Sequence, residues 1–285
     1  MANSSGPLPS TYQGKLNELR AWMRRAESVL VCFSGGTDSA LLLAVAHEQL
    51  GARAAALTAV SASLPAEEKV DASRIAQNLA IRHYWVETDE LQSAEYVRNG
   101  EDRCFHCRAR LFELAETKRA ELGLRIIVSG TNQDDLSDFR PGNEAARQAG
   151  VQAPLVELGF DKATVRAAAA YLGLDTWDKP AAACLASRIP YGTAITEERL
   201  AQVGGFETAL RALAFRQVRV RWHDRIARLE LGQDEIERAA SPELRSRLVE
   251  LGRLHGFHYI TLDLLGYRQG SHNEVLRGRS LPVLE

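Results

Sequence analysis

Residues Ser28-Val-Leu-Val-Cys-Phe33 run straight into Ser34-Gly-Gly-Thr-Asp-Ser39 and from there into a helix-forming stretch. An apolar run without alternation predicts a strand covered on both faces. Two glycines at its end let the chain turn tightly into a helix N-terminus. The same rhythm continues with a helix over about Ser39–Gln49, a strand near Ala54–Ala59, a helix near Ala66–Ala80 and a strand at Tyr84–Glu87, then a helix after Cys104 and a strand at Arg125–Ser129. Parallel neighbours need crossovers and these helices supply them, so the fold class is α/β, a doubly wound parallel sheet. Ligands of such sheets sit at the carboxyl ends of the strands. The segments after Phe33, Ala59, Glu87 and Ser129 are therefore expected to share one cleft.

Ahead of this pattern, residues 1–12 are small, polar and proline-containing and are expected to form a flexible tail. Leu16, Leu19, Trp22 and Met23 then fall at helical spacing and predict a short amphipathic helix over about Lys15–Arg25. The first domain is expected over 13–177. Residues 178–195, DKPAAACLASRIPYGTAI, lack any period and read as a long functional loop. Over 196–285 a helix near Glu197–Leu213, a hairpin of Val218–Trp222 and Ile226–Leu231, a helix near Pro242–His255 and a strand at Tyr259–Leu262 predict a smaller α+β domain.

Composition narrows the function. A chain of 285 residues, 45% apolar and 25% charged, is an ordinary globular protein of about two domains, which excludes a disordered or collagenous one. Its 35 Lys and Arg against 37 Asp and Glu give a net charge of −2, which makes no demand for nucleic acid or a membrane surface. Four cysteines are too sparse for a disulfide scaffold, and the first residues lack a basic and apolar leader pattern. A cytoplasmic protein is expected, with no stretch near the ~18 apolar residues of a membrane span.

The Ser34–Ser39 loop offers helix-start amides and hydroxyls to an anion. The plain alternative is a Gly-rich turn with Asp38 or Ser39 as the helix cap. Past the fourth strand, Gly130-Thr-Asn-Gln-Asp-Asp-Leu-Ser-Asp-Phe-Arg-Pro-Gly142 carries Asp134, Asp135 and Asp138, any of which could hold Mg²⁺ beside a bound anion, and Arg140, which could neutralise charge there. A solvated acidic turn is the competing reading.

Cys104-Phe-His-Cys107 places two thiols on one face at a helix N-terminus, with Arg103, Arg108 and Arg110 adjacent. The pair reads as a redox couple, half a zinc site, two ligands of an iron–sulfur cluster, or inert core cysteines. Cys32 lies in the buried first strand and is expected to pack. Cys184 lies in the long loop beside Ser187 and Arg188, where no strand or helix explains it. Three cysteines holding a cluster would leave one iron open, where an extra sulfide could bind. Arg219 and Arg221, two apart in a strand, share a face, while Val218 and Val220 turn to the core. The arginines form either a phosphate clamp or a solvated charged face. His106 and His223 read as structural.

The SGGTDS string resembles the pyrophosphate-binding loop of the ATP pyrophosphatase (PP-loop) superfamily, whose members cleave ATP between the α and β phosphates to activate a substrate as an adenylate. With DDLSDFRPG, CLASRIPYGT, VRVRWHDRIARLEL and YITLDLLGYRQGSHNE, nearly the whole chain after the tail resembles the LarE sulfur transferases. That resemblance implies an ATP- and Mg²⁺-dependent enzyme that adenylates the carboxylates of pyridinium-3,5-biscarboxylic acid mononucleotide and converts them to thiocarboxylates, toward the nickel-pincer nucleotide cofactor of lactate racemase. It implies ATP at Ser34, Gly35, Gly36, Thr37, Asp38, Ser39, Asp134 and Arg140. Cys184 matches the family's sulfur-handling cysteine, and Cys104, Cys107 and Cys184 together match the form that binds a 4Fe-4S cluster rather than sacrificing a cysteine sulfur. Ser187, Arg188, Arg219 and Arg221 fall at positions near the substrate phosphate, and Glu207 matches an acidic position implicated in metal binding.

The partners expected on this reading are the small nucleotide substrate, a sulfide donor and a downstream nickel-inserting protein, with neither membrane nor nucleic acid; a homo-oligomer is expected. Three rivals share features with it. A tRNA thiolase combines the same loop with a CxxC and a third cysteine, but usually shows a basic surface or more cysteine pairs. A zinc or redox regulator would leave the SGGTDS loop without purpose. A glutamine- or ammonia-dependent amide synthetase would leave the three cysteines without one.

Overall fold

Residues 9–136, 141–180, 183–268 and 270–277 are described by a computed structural model. The chain divides into two units, residues 1–96 with 100–182, and 97–99 with 183–285.

In the first unit the elements run α1 (Ser10–Ala26), β1 (Val29–Cys32), α2 (Thr37–Leu50), β2 (Ala54–Val60), α3 (Ala66–Asn78), β3 (Arg82–Glu87), α4 (Ala94–Val97), α5 (Arg103–Glu121), β4 (Ile126–Ser129), α6 (Pro141–Gln148), α7 (Pro154–Glu157) and α8 (Lys162–Tyr171). The four strands form one parallel sheet in the order β3-β2-β1-β4, with Val29 opposite both Ala54 and Ile126. Period-two alternation divides the core. Val29, Val31, Ala54, Ala56 and Val128 pack with residues of α1, α2, α3 and α8 on one face. Leu30, Cys32, Ala55, Leu57 and Ile127 pack with Phe112, Ala115 and Ala145 of α5 and α6 on the other. Both faces are thus covered by helices, as the unbroken apolar run of β1 requires. β3, at the edge, keeps only half-buried and exposed residues.

Helix α1 begins at Ser10, so the end of the stretch expected as a tail is helical. α6, α7 and α8 lie in a region whose helices the apolar spacing alone did not single out.

In the second unit, α9 (Glu197–Ala212), β5 (Val218–His223), β6 (Ile226–Leu231), α10 (Ile236–Ala240), α11 (Pro242–Leu254), β7 (Tyr259–Leu262) and α12 (Glu274–Arg277) build a small mixed sheet. β5 and β6 form the antiparallel hairpin, and β7 adds parallel to β6. Thr196 caps α9 by accepting from Arg199 N–H, and Ser241 caps α11 with Pro242 at its first position. Ahead of α9, one turn of 3-10 helix spans Leu185–Arg188.

Candidate functional site

The carboxyl end of β1 feeds the Ser34–Ser39 loop directly into α2. Gly35 takes φ +78°, and a Cβ there would come within 3.3 Å of the Ala72 nitrogen and the Glu68 carbonyl, so only glycine suits the turn. The loop closes on itself: Ser34 N–H donates to Ser39 Oγ at 3.3 Å, and Gly36 N–H to Ser34 Oγ at 3.4 Å. α2 starts after Gly36 with no side-chain cap. Its first-turn amides are therefore presented at the end of the sheet, the arrangement that favours an anion.

The segment after β4 approaches this loop so closely that a Cβ on Gly130 would lie 2.7 Å from Ser39 N and 2.9 Å from Ser39 Cα. Asn132 Nδ2 then donates to Asp38 Oδ1 at 2.8 Å. Two lysines complete the surroundings. The Lys162 ammonium, at the start of α8, pairs with Asp38, and the Lys162 backbone amide donates to Asp134 Oδ2 at 2.8 Å. Lys179 Nζ reaches the Gly35 carbonyl at 3.3 Å, Glu68 at 2.9 Å and Asp71 at 2.7 Å. Burial acts to raise the Asp71 carboxyl, but Lys179 and Arg74 outweigh it and hold the group below its ordinary value. Asp135 accepts from Asn132 N–H at 3.2 Å. Asp138 and Arg140 lie outside the described residues.

In the same unit, Cys104 and Cys107 occupy the first turns of α5, both half-buried and neither in a disulfide. The Cys107 thiol donates to Glu90 Oε1 at 3.5 Å, and Thr88 Oγ1 donates to Glu90 Oε2 at 2.7 Å. Arg103, buried, reaches Cys104 Sγ at 3.7 Å. Beside them lies a cavity of about 360 Å³ lined by Asp89, Glu90, Ser93, Tyr96, His106 and Arg110. His106 pairs with Asp102 at 3.1 Å. Cys32, in β1, is buried and its thiol is pushed up to about 12 by burial, so it packs and does not react.

Cys184 belongs to the second unit, half-buried at the head of the Leu185–Arg188 turn. Its carbonyl accepts from Ser187 N–H at 3.0 Å, Ser187 Oγ at 2.9 Å and Arg188 Nη1 at 3.1 Å. Arg188 is 1% exposed. Its Nε and Nη2 fork onto Glu207 at 2.7 and 2.9 Å. Burial opposes charge on both partners, but each one's opposite charge prevails, raising Arg188 and lowering Glu207. Glu207 Oε1 also accepts from Val220 N–H at 2.9 Å, so both oxygens of this fully buried carboxylate are committed to the protein.

Arg219 and Arg221 are both buried, as are Val218 and Val220, so β5 is covered on both faces and the arginines do not form a solvated charged face. Arg221 Nη2 pairs with Glu230 at 2.7 Å and its Nη1 donates to the Ser187 carbonyl at 2.8 Å. Its Nε is buried with no partner among the described residues. Arg219 lies over the Tyr267 ring at 5.1 Å and donates to the Val218 carbonyl at 2.7 Å. Burial, and then the nearby Arg188 charge, pull it down to about 10. Asn99, fully buried at φ +56°, donates to the carbonyls of Pro190 and Thr193 at 2.8 and 2.9 Å, pinning the chain beyond the turn.

The first unit thus assembles the Ser34–Ser39 loop with Asp134, and the second gathers Cys184, Ser187, Arg188, Glu207, Arg219 and Arg221. Among the described residues no three His, Cys, Asp or Glu side chains are grouped to hold a metal ion, and no helix is long and apolar enough to cross a membrane.

The asparagine synthase family matches residues 18–121, the part of the chain that carries the Ser34–Ser39 loop. Over 270 residues the chain is 34% identical to the pyridinium-3,5-bisthiocarboxylic acid mononucleotide synthase of Lactiplantibacillus plantarum, covering 94% of this chain and 96% of that one. It is 42% identical to an uncharacterized protein of Synechocystis sp., over 93% of this chain and 98% of that one. An uncharacterized protein of Methanocaldococcus jannaschii is 23% identical over 85% and 91% of the two chains.

Proposed function

The chain belongs to the LarE family, that of the Lactiplantibacillus plantarum synthase, and from that premise we propose that it adenylates the carboxylates of pyridinium-3,5-biscarboxylic acid mononucleotide and exchanges an oxygen of each for sulfur. It is an ATP-dependent sulfur transferase of the PP-loop superfamily.

A carboxylate is a poor acyl electrophile. Its oxygen attacks the α-phosphorus of ATP, pyrophosphate leaves, and the resulting acyl adenylate has AMP as leaving group. A soft sulfur nucleophile then attacks the acyl carbon and expels AMP, leaving a thiocarboxylate. The α2 amides after Gly36 would receive the phosphate oxygens, with Ser34 and Ser39 lending hydroxyls, while the Thr37 hydroxyl donates to the Thr176 carbonyl at 2.6 Å. Asp38 and Asp134 offer hard carboxylate oxygens for Mg²⁺ on the polyphosphate. Lys162 and Lys179, held by Asp38 and by Glu68 and Asp71, supply the positive charge that the leaving pyrophosphate needs. The substrate phosphate is assigned to the Arg219 and Arg221 neighbourhood, where buried guanidinium groups are held in place by Tyr267 and Glu230.

For sulfur supply, the donor set is soft thiol throughout, which suits a 4Fe-4S cluster held by Cys104, Cys107 and Cys184 better than it suits a hard cation. When bound, such a cluster would carry exchangeable sulfide on an iron that no cysteine holds. Cys104 and Cys107, on one face of α5 and both outside any disulfide, suit two of its ligands. A sulfide donor, a downstream nickel-inserting partner and a homo-oligomer belong to the same proposal.

The observation that carries the reading is the 34% identity over almost the full length of both chains, joined to a built anion loop at the end of β1. Anaerobic incubation with ATP, Mg²⁺, sulfide and the dicarboxylate nucleotide is expected to release AMP and pyrophosphate and to add the mass of one sulfur-for-oxygen exchange, about 16 Da, per carboxylate converted. ATP use stimulated by tRNA and not by the nucleotide would overturn the substrate assignment.

A further inference from the structure

We propose that Arg188 is a positioning residue for Cys184 and not a ligand of the substrate phosphate; the inference rests on the sulfur-handling role given to Cys184 above. All three guanidinium nitrogens are committed inside the second unit. Nε and Nη2 hold Glu207, and Nη1 donates to the carbonyls of Ala183 and Cys184 at 2.9 and 3.1 Å and to Ser187 Oγ at 2.9 Å. A phosphate could recruit this guanidinium only by displacing Glu207, which is fully buried and would be left as a destabilising carboxylate without its cation, or by taking Nη1 from the turn that carries Cys184. Arg221 differs: it keeps a buried Nε with no partner among the described residues.

The consequence falls on the cysteine. Three donors converge on the Cys184 carbonyl, namely Ser187 N–H, Ser187 Oγ and Arg188 Nη1. At the other end of the turn, Arg221 Nη1 holds the Ser187 carbonyl at 2.8 Å. The backbone that carries the thiol is therefore anchored through two buried Arg–Glu pairs, Arg188 to Glu207 and Arg221 to Glu230, both rooted in α9, β5 and β6. The planar fork is essential to this geometry, because one edge grips Glu207 while the remaining nitrogen is aimed at the turn. An ammonium carries the same charge but cannot span both sets of acceptors.

The test uses the full-length protein carrying Arg188→Lys, which keeps a cation beside Glu207 and can still meet a phosphate as a point charge. Three quantities are read: nucleotide-dependent ATP–pyrophosphate exchange, thiocarboxylate formation, and the alkylation rate of each cysteine by iodoacetamide in metal-free protein, followed by peptide mass spectrometry. A positioning role predicts exchange with an unchanged KM for the nucleotide, sulfur transfer reduced by about tenfold or more, and alkylation of Cys184 at least about threefold faster, with Cys104 and Cys107 unchanged. A raised KM for the nucleotide in the exchange reaction, with Cys184 alkylation as in wild type, overturns it. Should Arg188→Lys not fold, the pair Arg188→Met with Glu207→Gln removes both charges while the amide oxygen still accepts from Val220 N–H, and the same readings apply. If wild-type protein forms no thiocarboxylate, the functional reading fails while the alkylation comparison still decides the positioning one.

Discussion

The ammonium of Lys162 rests on the carboxylate of Asp38, 124 positions earlier in the chain, while the backbone amide of the same lysine donates to Asp134. One residue at the start of α8 thus ties together the loops that follow β1 and β4. Lys162→Ala should lower ATP–pyrophosphate exchange by about 10- to 100-fold, the value of a charge-assisted contact of roughly 1.5–3 kcal/mol. The Tm should move little, because the pair is partly exposed and such pairs contribute about 1 kcal/mol or less. An exchange rate equal to wild type would remove Lys162 from the ATP site.

Gly130 meets the start of α2 where no Cβ fits. Gly130→Ala places a carbon 2.7 Å from Ser39 N, against backbone that cannot step aside as a flexible side chain would. Either β4 or the Ser34–Ser39 loop must shift. The expected result is a Tm lowered by an overpacking cost of about 1–3 kcal/mol together with weakened ATP binding, checked by thermal melts with and without Mg·ATP. Wild-type ATP stabilisation in this variant would mean that the loop tolerates the displacement.

Much of this architecture was legible from contiguous residues. The run into Ser34–Ser39 and the alternation of apolar strands with helices state the doubly wound sheet, and Cys104-Phe-His-Cys107 falls on the helix start its spacing suggested. The partners of the site were not legible, because nothing periodic links Lys162 to Asp38, Lys179 to Gly35 or Asn99 to Pro190. The alternation in Val218–Trp222 marked two faces of β5 but not that both are covered. Glu207 from α9 and Glu230 from β6 supply the carboxylates that let Arg188 and Arg221 be buried, and no local pattern announces such pairings.

Arg219 and Arg221 should separate in their effects. Arg221→Ala leaves the fully buried Glu230 without its closest cation, and loss of one partner of a buried pair costs about 3–5 kcal/mol, so a lowered Tm is expected. Arg219→Ala loses a guanidinium that stacks on Tyr267, so its main effect should be weaker binding of the phosphorylated substrate, by about 10- to 100-fold, with ATP affinity barely changed. Calorimetric melts and separate titrations of the nucleotide and ATP measure this. Unchanged nucleotide affinity in the Arg219 variant would exclude it from the phosphate site.

Burial holds His83 below its ordinary value of 6.5, as burial does first for His223 and His255. The unfolded chain then binds protons before the folded one does, so stability is full above about pH 7.5 and falls as the pH drops through and below 6.5. Thr58 Oγ1 donates to the Phe33 carbonyl at 2.6 Å, so it accepts from His83 Nε2–H at 2.8 Å. His83→Gln keeps an N–H for Thr58 and removes the titration. Its Tm should therefore fall less steeply between pH 7.5 and about 5.5 than that of wild type; an identical slope would place the effect on other groups.

The sulfur source divides on Cys104, Cys107 and Cys184, with Cys32 as the internal control. If the three hold a cluster, protein purified without oxygen should contain about four irons per chain. It should also turn over repeatedly with added sulfide, since no Cβ–S bond is broken. Alanine at any one of the three should then remove iron and sulfur transfer together. Cys32→Ala should leave both intact, because that thiol is buried in the sheet and pushed up to about 12. If Cys184 gives its own sulfur, only its replacement should abolish transfer, and each active chain should lose the mass of H₂S, about 34 Da, on conversion of the thiol to dehydroalanine. The favoured outcome is the cluster, because sacrifice of Cys184 would leave the two thiols on one face of α5, neither in a disulfide, without a chemical task. Intact-mass measurement after turnover, run beside iron quantification, decides between them: a dehydroalanine at position 184 in iron-free, active protein would overturn the cluster while leaving the transferase reading standing.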